Sequence, residues 1–491
     1  MSLKTSPPWD NVENYINGDW CSPSGDGKPV VNPATSEKIS YVGFSTENEI
    51  DEAIQAGQLA FKEWRSTPVE KRIQPLFEFK QLLEEHHDEL AKILVQEHGK
   101  TVQEAKGEIR RGIENVEVAC GIPSMMQAGY LPNAAPGIDE MAVRKPLGVF
   151  TAITPFNFPA MIPLWFLPYA VATGNAFILK PSEQDPIVAR YVFELIDKVG
   201  FPDGLVQLIN GSVDTVNTLL DHDKISGVSF VGSTPVAKTV YERAAANGKR
   251  VQAQGGAKNH IIVTNTADLK FAAEKTVSSA FACSGQRCLA NDVALVEQNV
   301  LDEFTKHVIN VASDQVVGYG LDKETDIGAI ITPEHETRVR NMISESVDDG
   351  AEILIDGRDV SVNNYPNGNF IGPTVLKNID SESTIAQEEI FGPVLGLLPV
   401  KNVDEAINIL NQSDFGNAAS LFTGSGADAQ KFRHDADVGN LGVNTGTAAP
   451  MAFFHFGGRK DSFFGDLHAQ GEDMIHFYTD KTIYIERWPD N

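Results

Sequence analysis

The sequence predicts an α/β protein built around a mostly parallel sheet with helices on both faces. Beginning at residue 149, four short β-rich runs reach a proline or glycine at or near their ends, namely VFTAITP, AFILKP, LVQLING and GVSFVGS. Helix-length segments follow at 159–173, 184–199, 213–221 and 234–247. Strands and helices that alternate in this way are joined by right-handed crossovers, which place the strands side by side in parallel.

Three helices are expected before this region. The first stretch, TENEIDEAIQAGQLAFKEWR, opens with a capping-box pattern at Thr46 and Glu49, ahead of apolar residues at helical spacing. The second is EKRIQPLFEFKQLLEEHHDELAKILVQEHG, which Gly99 ends, and the third is TVQEAKGEIRRGIENVEVACG. We expect His86 and His87 to lie on a solvated face of the second helix.

A second region of alternating strands and helices begins at NHIIVTNTADL and continues to about residue 440. Two further strands lie outside both regions. EMAVRKPLGVF, near residue 140, and HFYTDKTIYIERW, near the end of the sequence, each read as a strand. Isolated strands leave unpaired edges, so we expect these two to pair with each other or with another subunit.

The charge and composition exclude several classes of protein. The chain has 491 residues, enough for two or three domains, and 67 acidic against 40 basic residues give a formal charge of −27. Nucleic acids and anionic membranes bind basic surfaces, so we expect neither as a partner. The acidic excess fits general solubility or, as we favour, a halophilic protein adapted to a high-salt cytoplasm.

MSLKTSPPWDN has no apolar signal and prolines break the longest apolar run, which predicts a cytoplasmic protein.

Four cysteines are too few for a disulfide framework. The spacing in CSGQRC is wider than that of usual zinc ligand pairs and no second pair follows, so no metal is expected. Cys288 follows Gly285 and Arg287, and a neighbouring cation lowers a thiol pKa. This stretch alone supports a reactive thiolate and a buried small side chain equally. Cys283 has no such neighbours and is assigned to packing.

Residues that suit a nucleotide follow the predicted strands. Ligands of parallel sheets lie at the carboxyl ends of the strands, which places TPFNFP, KPSE and GSTPVAK at one rim. No G-x-G-x-x-G follows the first strand, but Gly232 to Thr234 open a helix whose N-terminal N–H groups favour a phosphate. Lys180 and Glu183 of KPSE suit a ribose, and the carboxylate would repel a 2′-phosphate. KPSE is also an ordinary helix start with an acid in its first turn.

As an ordered set, FACSGQRC, TPFNFP, KPSE, FVGST, EEIFGPV and FGGRK resemble the aldehyde dehydrogenase superfamily over nearly the whole chain. The resemblance implies a Rossmann-type NAD-binding domain, an α/β catalytic domain and a small oligomerisation sheet. It assigns 1–121 and 147–254 to the first, 255–473 to the second, and 122–146 and 474–491 to the third. A homotetramer or homodimer is then expected, and the two isolated strands belong to the oligomerisation sheet.

Carried over position by position, the resemblance implies that Cys288 is the nucleophile and that its backbone N–H and the Asn157 side chain bind the oxyanion. Phe456 would line the substrate channel. Cofactor contacts match at Phe156, at Lys180 and Glu183 for the adenosine ribose, at Ser233 for the pyrophosphate, and at Glu389 and Phe391 for the nicotinamide ribose.

One position departs from most of the superfamily. There the glutamate of a Glu-Leu-Gly-Gly-Lys motif activates water, whereas this chain reads VQAQGGAKNH, with Ala253 at that place and Gln254 next to it. Neither side chain can accept a proton at neutral pH. GGAKNH, NFPAMIPLW, YERAAANGKRVQA and AFFHFGGRKDSFFGDLH resemble the branch of CoA-acylating methylmalonate-semialdehyde dehydrogenases. That branch transfers the acyl group to coenzyme A, and the substrate carboxylate leaves as CO₂. A thiol with a pKa of ~8.5 needs less help from a base than water at ~15.7.

The branch implies methylmalonate and malonate semialdehydes as substrates, whose carboxylate favours a guanidinium. Arg287, beside the nucleophile, and Arg111 in RRGIE match such positions, although Arg111 also fits a surface helix arginine. Residues 445–449 are small where the branch has bulkier sequence containing Pro and Val, and this change would widen the pocket.

Two other functions stay open. A hydrolytic NAD-dependent aldehyde dehydrogenase that makes a free carboxylic acid would need another group as base, and its turnover would not require CoA. A binding or structural protein that kept the fold but lost activity would lack the nucleophile or the nucleotide site. Cys288, Asn157, Lys180 and Glu183 are all present, which disfavours the second of these.

Overall fold

The computed structural model describes residues 9–488 as two large sheets, a small third sheet, two short strand pairs and the helices that pack against them. Residues 1–8 and 489–491, at the ends of two predicted segments, lie outside the described residues. No α-helix between residues 9 and 488 has both the length and the apolar character needed to cross a bilayer.

The strands are β1 Asn14–Ile16, β2 Asp19–Cys21, β3 Gly27–Val31, β4 Lys38–Gly43, β5 Tyr130–Ala135, β6 Ile138–Pro146, β7 Val149–Ile153, β8 Ala176–Lys180, β9 Val206–Leu208, β10 Ile225–Val231, β11 Arg250–Gln254, β12 Asn259–Val263, β13 Asn291–Glu297, β14 Glu352–Ile355, β15 Thr374–Lys377, β16 Val394–Val400, β17 Phe415–Gly416, β18 Ala418–Phe422, β19 Asn440–Val443, β20 Arg459–Lys460, β21 Phe463–Gly465 and β22 Thr479–Glu486. The α-helices are α1 Glu47–Trp64, α2 Val69–Arg72, α3 Gln74–Glu85, α4 His87–His98, α5 Val102–Cys120, α6 Ile122–Met125, α7 Met161–Leu164, α8 Leu167–Thr173, α9 Ile187–Val199, α10 Val213–Asp221, α11 Thr234–Ala246, α12 Leu269–Phe281, α13 Leu301–Ser313, α14 Pro333–Asp348, α15 Thr384–Gln387, α16 Val403–Gln412, α17 Gly426–Asp435 and α18 Gly471–Tyr478.

The first sheet has eight strands in the order β2-β1-β9-β8-β7-β10-β11-β21. The five strands from β9 to β11 in that order run parallel, which confirms the prediction made from the runs that begin at residue 149. Every residue of β7 and β8 is buried, as expected for strands of a parallel sheet covered on both faces. β21 closes one edge, where Phe464 pairs with Ala253 of β11.

The second sheet has seven strands in the order β14-β15-β16-β13-β12-β18-β19 and is parallel except for β14. All residues of β12 and β13 are buried. This sheet is the second α/β pattern that the sequence predicts after NHIIVTNTADL. Between β12 and β13 the chain passes through α12 and the segment that carries Cys288.

The third sheet joins the two strands that the sequence left without neighbours. β6 pairs with β22 in antiparallel register, with Val143 opposite Thr482, and β5 covers the other edge of β6. The expectation that the two distant strands pair with each other is confirmed. Leu131, Ile483 and Ile485 of this sheet are each more than half exposed.

The helices before the first sheet follow the prediction in part. α1 has the capping box of Thr46 and Glu49. The second predicted helix is wrong as a single unit, because it divides into α2, α3 and α4. Pro75 lies in the first turn of α3, where its missing N–H is tolerated but where a continuous helix would break. The other break is at His86. The prediction of a solvated face is wrong for both histidines, because His86 is half-buried against the Tyr191 hydroxyl at 2.7 Å and His87 is half-buried with its Nε2 3.0 Å from the Lys106 carbonyl.

Asn175 ties the first sheet to the third. Its side chain is fully buried just before β8, and Oδ1 accepts hydrogen bonds from the N–H groups of Leu147 and Gly148 at 2.8 and 3.0 Å. Nδ2 donates to the Tyr478 carbonyl at 2.9 Å, where α18 ends and β22 begins. One amide therefore pairs with three backbone groups at the junction of β7, β8 and β22.

We expect Asn175→Ala to lower the thermal unfolding midpoint by several degrees, because each backbone group left unpaired costs about 1–3 kcal/mol. Differential scanning calorimetry measures the shift. Asn48→Ala, at an exposed position in the first turn of α1, is the matched control and should leave the midpoint unchanged. Equal midpoints for the two variants would contradict the role given to Asn175.

Candidate active site

Two cavities meet at Cys288. The first has a volume of about 310 Å³ and the second a volume of about 570 Å³. Among residues 9–488, Cys288 is the only one that lines both of these cavities. A side chain at this junction can contact two different ligands at the same time.

A left-handed turn brings Cys288 to the junction. After α12, Cys283, Ser284 and Gly285 have φ angles of 53°, 55° and 70°. A Cβ atom on Gly285 would lie 2.0 Å from the carbonyl oxygen of Gly392, so this position requires glycine. Cys283 is buried, as predicted, although it also lines the first cavity.

Two asparagine side chains hold the backbone carbonyl of Cys288. Nδ2 of Asn259 donates to it at 2.9 Å and Nδ2 of Asn417 at 2.6 Å. Asn259 begins β12 and Asn417 precedes the neighbouring strand β18, and the Ala418 N–H donates to Asn259 Oδ1 at 3.0 Å. The amino-terminal ends of two interior strands of the second sheet therefore position the loop that carries the cysteine. The sequence analysis did not identify either asparagine as a site residue. The one local feature that could have indicated them is their position at the starts of predicted strands.

Asn157 approaches the same point from the first sheet. It follows β7, lines the second cavity and is 4% exposed. Its carbonyl accepts a hydrogen bond from the Lys100 ammonium at 2.7 Å. Its side-chain amide takes part in none of the hydrogen bonds found between residues 9 and 488, and Oδ1 is buried without a partner. The amide therefore keeps its donors for a ligand.

A buried ion pair supports Asn157. Lys100 and Glu108 are fully enclosed, with 2.5 Å between Nζ and Oε2. The other oxygen of Glu108 accepts hydrogen bonds from the N–H groups of Ala160 and Met161 at 2.8 and 3.1 Å. The pair thus fixes the backbone from Asn157 to Met161. Sequence reasoning missed both residues because the contact of Lys100 with Asn157 spans 57 positions.

Burial sets the state of the Cys288 thiol. Burial, with a contribution from the Glu389 carboxylate, raises the pKa of this thiol to about 12, while the Arg287 guanidinium lowers it. The predicted effect of Arg287 therefore has the right sign, but desolvation outweighs it. With these groups alone, the thiol is protonated at neutral pH.

The Glu389 carboxyl of the second cavity is also shifted. Burial, together with nearby Asp292, raises its pKa to about 8, although the Ala257 N–H donates to Oε1 at 3.1 Å. Asp292 in turn pairs with the buried Lys258 at 2.8 Å. This carboxyl can therefore gain and lose a proton close to neutral pH.

The structure divides the predicted site residues between the two cavities. The second cavity is lined by Phe156, Asn157, Ser233, Glu389 and Phe391, and the first by Arg111, Arg287 and Phe456. Lys180 and Glu183 line neither cavity but pair with each other at 3.0 Å at the end of β8. Burial acts to raise the pKa of the Glu183 carboxyl, but Lys180 lowers it below its usual value. This carboxylate is therefore ionised.

The second cavity fits the phosphates of a dinucleotide. Ser233 is the N-cap of the 13-residue helix α11, and its side chain makes no capping hydrogen bond to the first turn. The N–H groups there are thus available to an anion. A Cβ atom on Gly256 would lie 2.7 Å from Glu389 Oε2 and 3.3 Å from Thr234 Oγ1, so glycine keeps this part of the cavity open.

The first cavity joins an apolar wall to two guanidinium groups. Trp165 and Phe456 pack with their ring centroids 4.6 Å apart. Arg111 pairs with Glu114 at 2.8 Å, whereas Arg287 forms no salt bridge with any residue that the structure describes. The cavity therefore combines an apolar surface with a cation that has no carboxylate partner.

Comparisons with known proteins agree with this geometry. The profile of the aldehyde dehydrogenase family matches residues 20–483. Malonate-semialdehyde dehydrogenase 1 of Geobacillus kaustophilus (strain HTA426) is 46% identical over 490 residues, which cover 99% of this chain and 100% of that protein. Malonate-semialdehyde dehydrogenase 2 of Bacillus anthracis is 46% identical over 479 residues, which cover 97% of this chain and 98% of that protein.

Solved structures match over the whole fold. Methylmalonate-semialdehyde dehydrogenase from Oceanimonas doudoroffii gives a TM-score of 0.97 at 41% identity and covers 98% of this chain and 99% of that one. An NAD complex from Sinorhizobium meliloti 1021, provisionally described as methylmalonate-semialdehyde dehydrogenase, gives 0.97 at 37% identity and covers 100% and 99%. The predicted fold class is confirmed. With relatives identical at almost half of the aligned positions and a family profile matched over most of its length, this chain belongs to the aldehyde dehydrogenase family.

Proposed function

We propose that this enzyme is an NAD-dependent, CoA-acylating dehydrogenase of malonate and methylmalonate semialdehydes. It forms acetyl-CoA or propanoyl-CoA with loss of CO₂, through a thioester on Cys288. The observation that carries the proposal is the absence of a carboxylate at Ala253 and at its neighbour Gln254, where most of the superfamily has the base for hydrolysis. Neither side chain can accept a proton at neutral pH, and both are buried in β11 and line neither cavity. The names of the relatives support the same substrates.

The first step is addition of Cys288 to the aldehyde carbon. The thiol first loses its proton to solvent, its sulfur then forms a bond to that carbon, and the carbonyl oxygen becomes an oxyanion. The backbone N–H of Cys288 and the side-chain amide of Asn157 donate to this oxygen, and the loss of one such donor costs ~10²–10³ in rate. The Lys100–Glu108 pair holds the backbone of Asn157, so this donor is in place before the substrate arrives.

The second cavity and the end of β8 would hold NAD. Ser233 and the first turn of α11 suit the pyrophosphate, and Glu389 and Phe391 suit the nicotinamide ribose. When bound, NAD supplies the hydride acceptor. The ionised Glu183, held by Lys180, would accept hydrogen bonds from the adenosine ribose and repel a 2′-phosphate, which favours NAD over NADP.

The acyl group on Cys288 has a thiol as its favoured acceptor. The carboxylates that line the first cavity are all engaged, Glu104 by the N–H groups of Thr101 and Cys283, Glu108 by Lys100, and Glu114 by Arg111. Water on that side therefore lacks a free carboxylate as base. The thiol of coenzyme A ionises near ~8.5 rather than ~15.7. Its sulfur bonds to the thioester carbon, and Cys288 leaves as thiolate.

Charge in the first cavity supports a carboxylated substrate. Arg287 lines the cavity beside Cys288 and has no salt-bridge partner among residues 9–488. Arg111 lines the same cavity and shares its charge with Glu114. A carboxylate at the far end of a short aldehyde would bind the guanidinium of Arg287, with Arg111 as a further cation.

The exposed third sheet supports a homotetramer or homodimer. Leu131, Ile483 and Ile485 are 59%, 57% and 66% exposed, and Trp488, two residues after β22, is 80% exposed. Large apolar side chains gathered in this way are typical of an interface between subunits. We also propose that the chain is divided into the NAD-binding, catalytic and oligomerisation segments given above. We propose a high-salt cytoplasm as its setting.

We expect steady NADH formation from malonate semialdehyde to require CoA. Without CoA, each active site should turn over once and stop at the thioester, because the carboxylates that line the first cavity are all engaged and none is free to activate water there. With CoA, turnover should continue and acetyl-CoA should accumulate, as measured by NADH absorbance and chromatography of the products. Desulfo-CoA, which has no thiol, is the control and should not restore turnover. Sustained turnover to free acid without CoA would establish the hydrolytic alternative.

We expect alkylation of Cys288 by iodoacetamide, without NAD, to become about tenfold faster for each pH unit across the neutral and mildly alkaline range. The pKa of about 12 fixes the sign, because the reactive thiolate fraction rises tenfold per unit at any pH below it. Mass spectrometry of quenched samples gives the rate, and Cys288→Ala gives the background from the other cysteines. A plateau below about pH 9 would mean an ordinary thiol pKa and contradict the effect of burial.

A further inference from the structure

The Arg287 guanidinium is held in place by a second residue of the first cavity, Thr447. We propose that Thr447 is a positioning residue that orients Arg287 toward the carboxylate of a short carboxylated aldehyde and so sets the substrate class. This inference rests on the proposed function and deepens it, because it names the contact that makes one arginine selective.

A chain of hydrogen bonds fixes Thr447. Nη2 of Arg287 donates to the Thr447 hydroxyl oxygen at 2.8 Å. That oxygen lies 3.1 Å from Ser279 Oγ, to which Asn291 Nδ2 donates at 2.7 Å. Because Thr447 accepts from Arg287, its own proton is free to go to Ser279. Asn291 also donates to the Gly446 carbonyl at 2.5 Å, so α12 and the start of β13 both hold this segment.

Most of the donors of Arg287 are left for a ligand. A guanidinium carries five N–H donors, and the bond to Thr447 is the only side-chain hydrogen bond found for Arg287 within residues 9–488. Arg287 is half-buried and lines the first cavity together with Cys288. A guanidinium that is already oriented loses less rotational freedom when it binds a carboxylate, so Thr447 favours binding of a charged substrate.

Thr447 belongs to the segment that departs from the expected branch sequence. Residues 445–449 are small and include a hydroxyl at position 447, whereas the resemblance leads us to expect bulkier sequence with Pro and Val. Side chains of proline and valine cannot accept a hydrogen bond from an arginine. Thr447 and Ala449 both line the first cavity. The small residues of this segment therefore leave space in the first cavity, and the Thr447 hydroxyl provides a hydrogen-bond acceptor at the same place.

Thr447→Val tests the proposal, because valine keeps the shape of threonine and removes the hydroxyl. With NAD and CoA present, we expect kcat/KM for malonate semialdehyde to fall about tenfold, mainly through a higher KM, since a hydrogen bond to a charged group contributes on that order. The kcat/KM for propanal, which has no carboxylate, should not change. Thr447→Ser should restore the wild-type KM, and Ser279→Ala should raise the semialdehyde KM by less than Thr447→Val does.

Thr337→Val is the matched control, because it makes the same change at an exposed position of α14 that lines neither cavity. Its kinetics with both aldehydes should equal those of the wild type. If Thr447→Val impairs both aldehydes equally, or neither, while the wild type prefers the semialdehyde, only the positioning role is overturned. If the wild type itself shows no preference for the semialdehyde over propanal, the proposed substrate class fails and this inference fails with it.

Discussion

The rest of the site depends on two hydrogen bonds, which Asn259 and Asn417 donate to the Cys288 carbonyl. The left-handed turn before Cys288 is costly for residues other than glycine, so it needs anchors at its far end. Both anchors come from the second sheet, at the starts of two adjacent, interior parallel strands. Because the backbone is fixed there, the sulfur stays where the two cavities meet and the N–H of the same residue stays available as a donor.

The site is complete only because the two large sheets meet. The second sheet supplies Cys288, and the first supplies Asn157 after β7. β21, from residues 463–465, pairs with β11 at the edge of the first sheet, so the chain returns to the first sheet after completing the second. The same strand pairing buries Ala253, where a carboxylate would otherwise be expected. The strand that closes this edge of the first sheet therefore also encloses the position of the missing base.

Local patterns were enough to predict the parallel sheets, the capping box of α1 and the pairing of β6 with β22. Hydrophobic periodicity and isolated strands can be recognised from short stretches of sequence. Motif resemblance located Cys288 and Asn157, which the structure brings to the second cavity. The buried pair of Lys100 and Glu108 could not be predicted, since its partners come from distant segments. The pKa of the Cys288 thiol also depends on desolvation by the whole fold. The sign of the Arg287 effect on this pKa was therefore predictable, but the larger opposing effect of desolvation was not.

Mass spectrometry of the protein after incubation with malonate semialdehyde and NAD, without CoA, shows whether Cys288 carries the acyl group. We predict an acetyl group on Cys288 that accumulates to one per chain and disappears when CoA is added, as acetyl-CoA forms in equal amount. An unmodified Cys288 during sustained NADH production, with free carboxylic acid released into solution, would contradict this prediction.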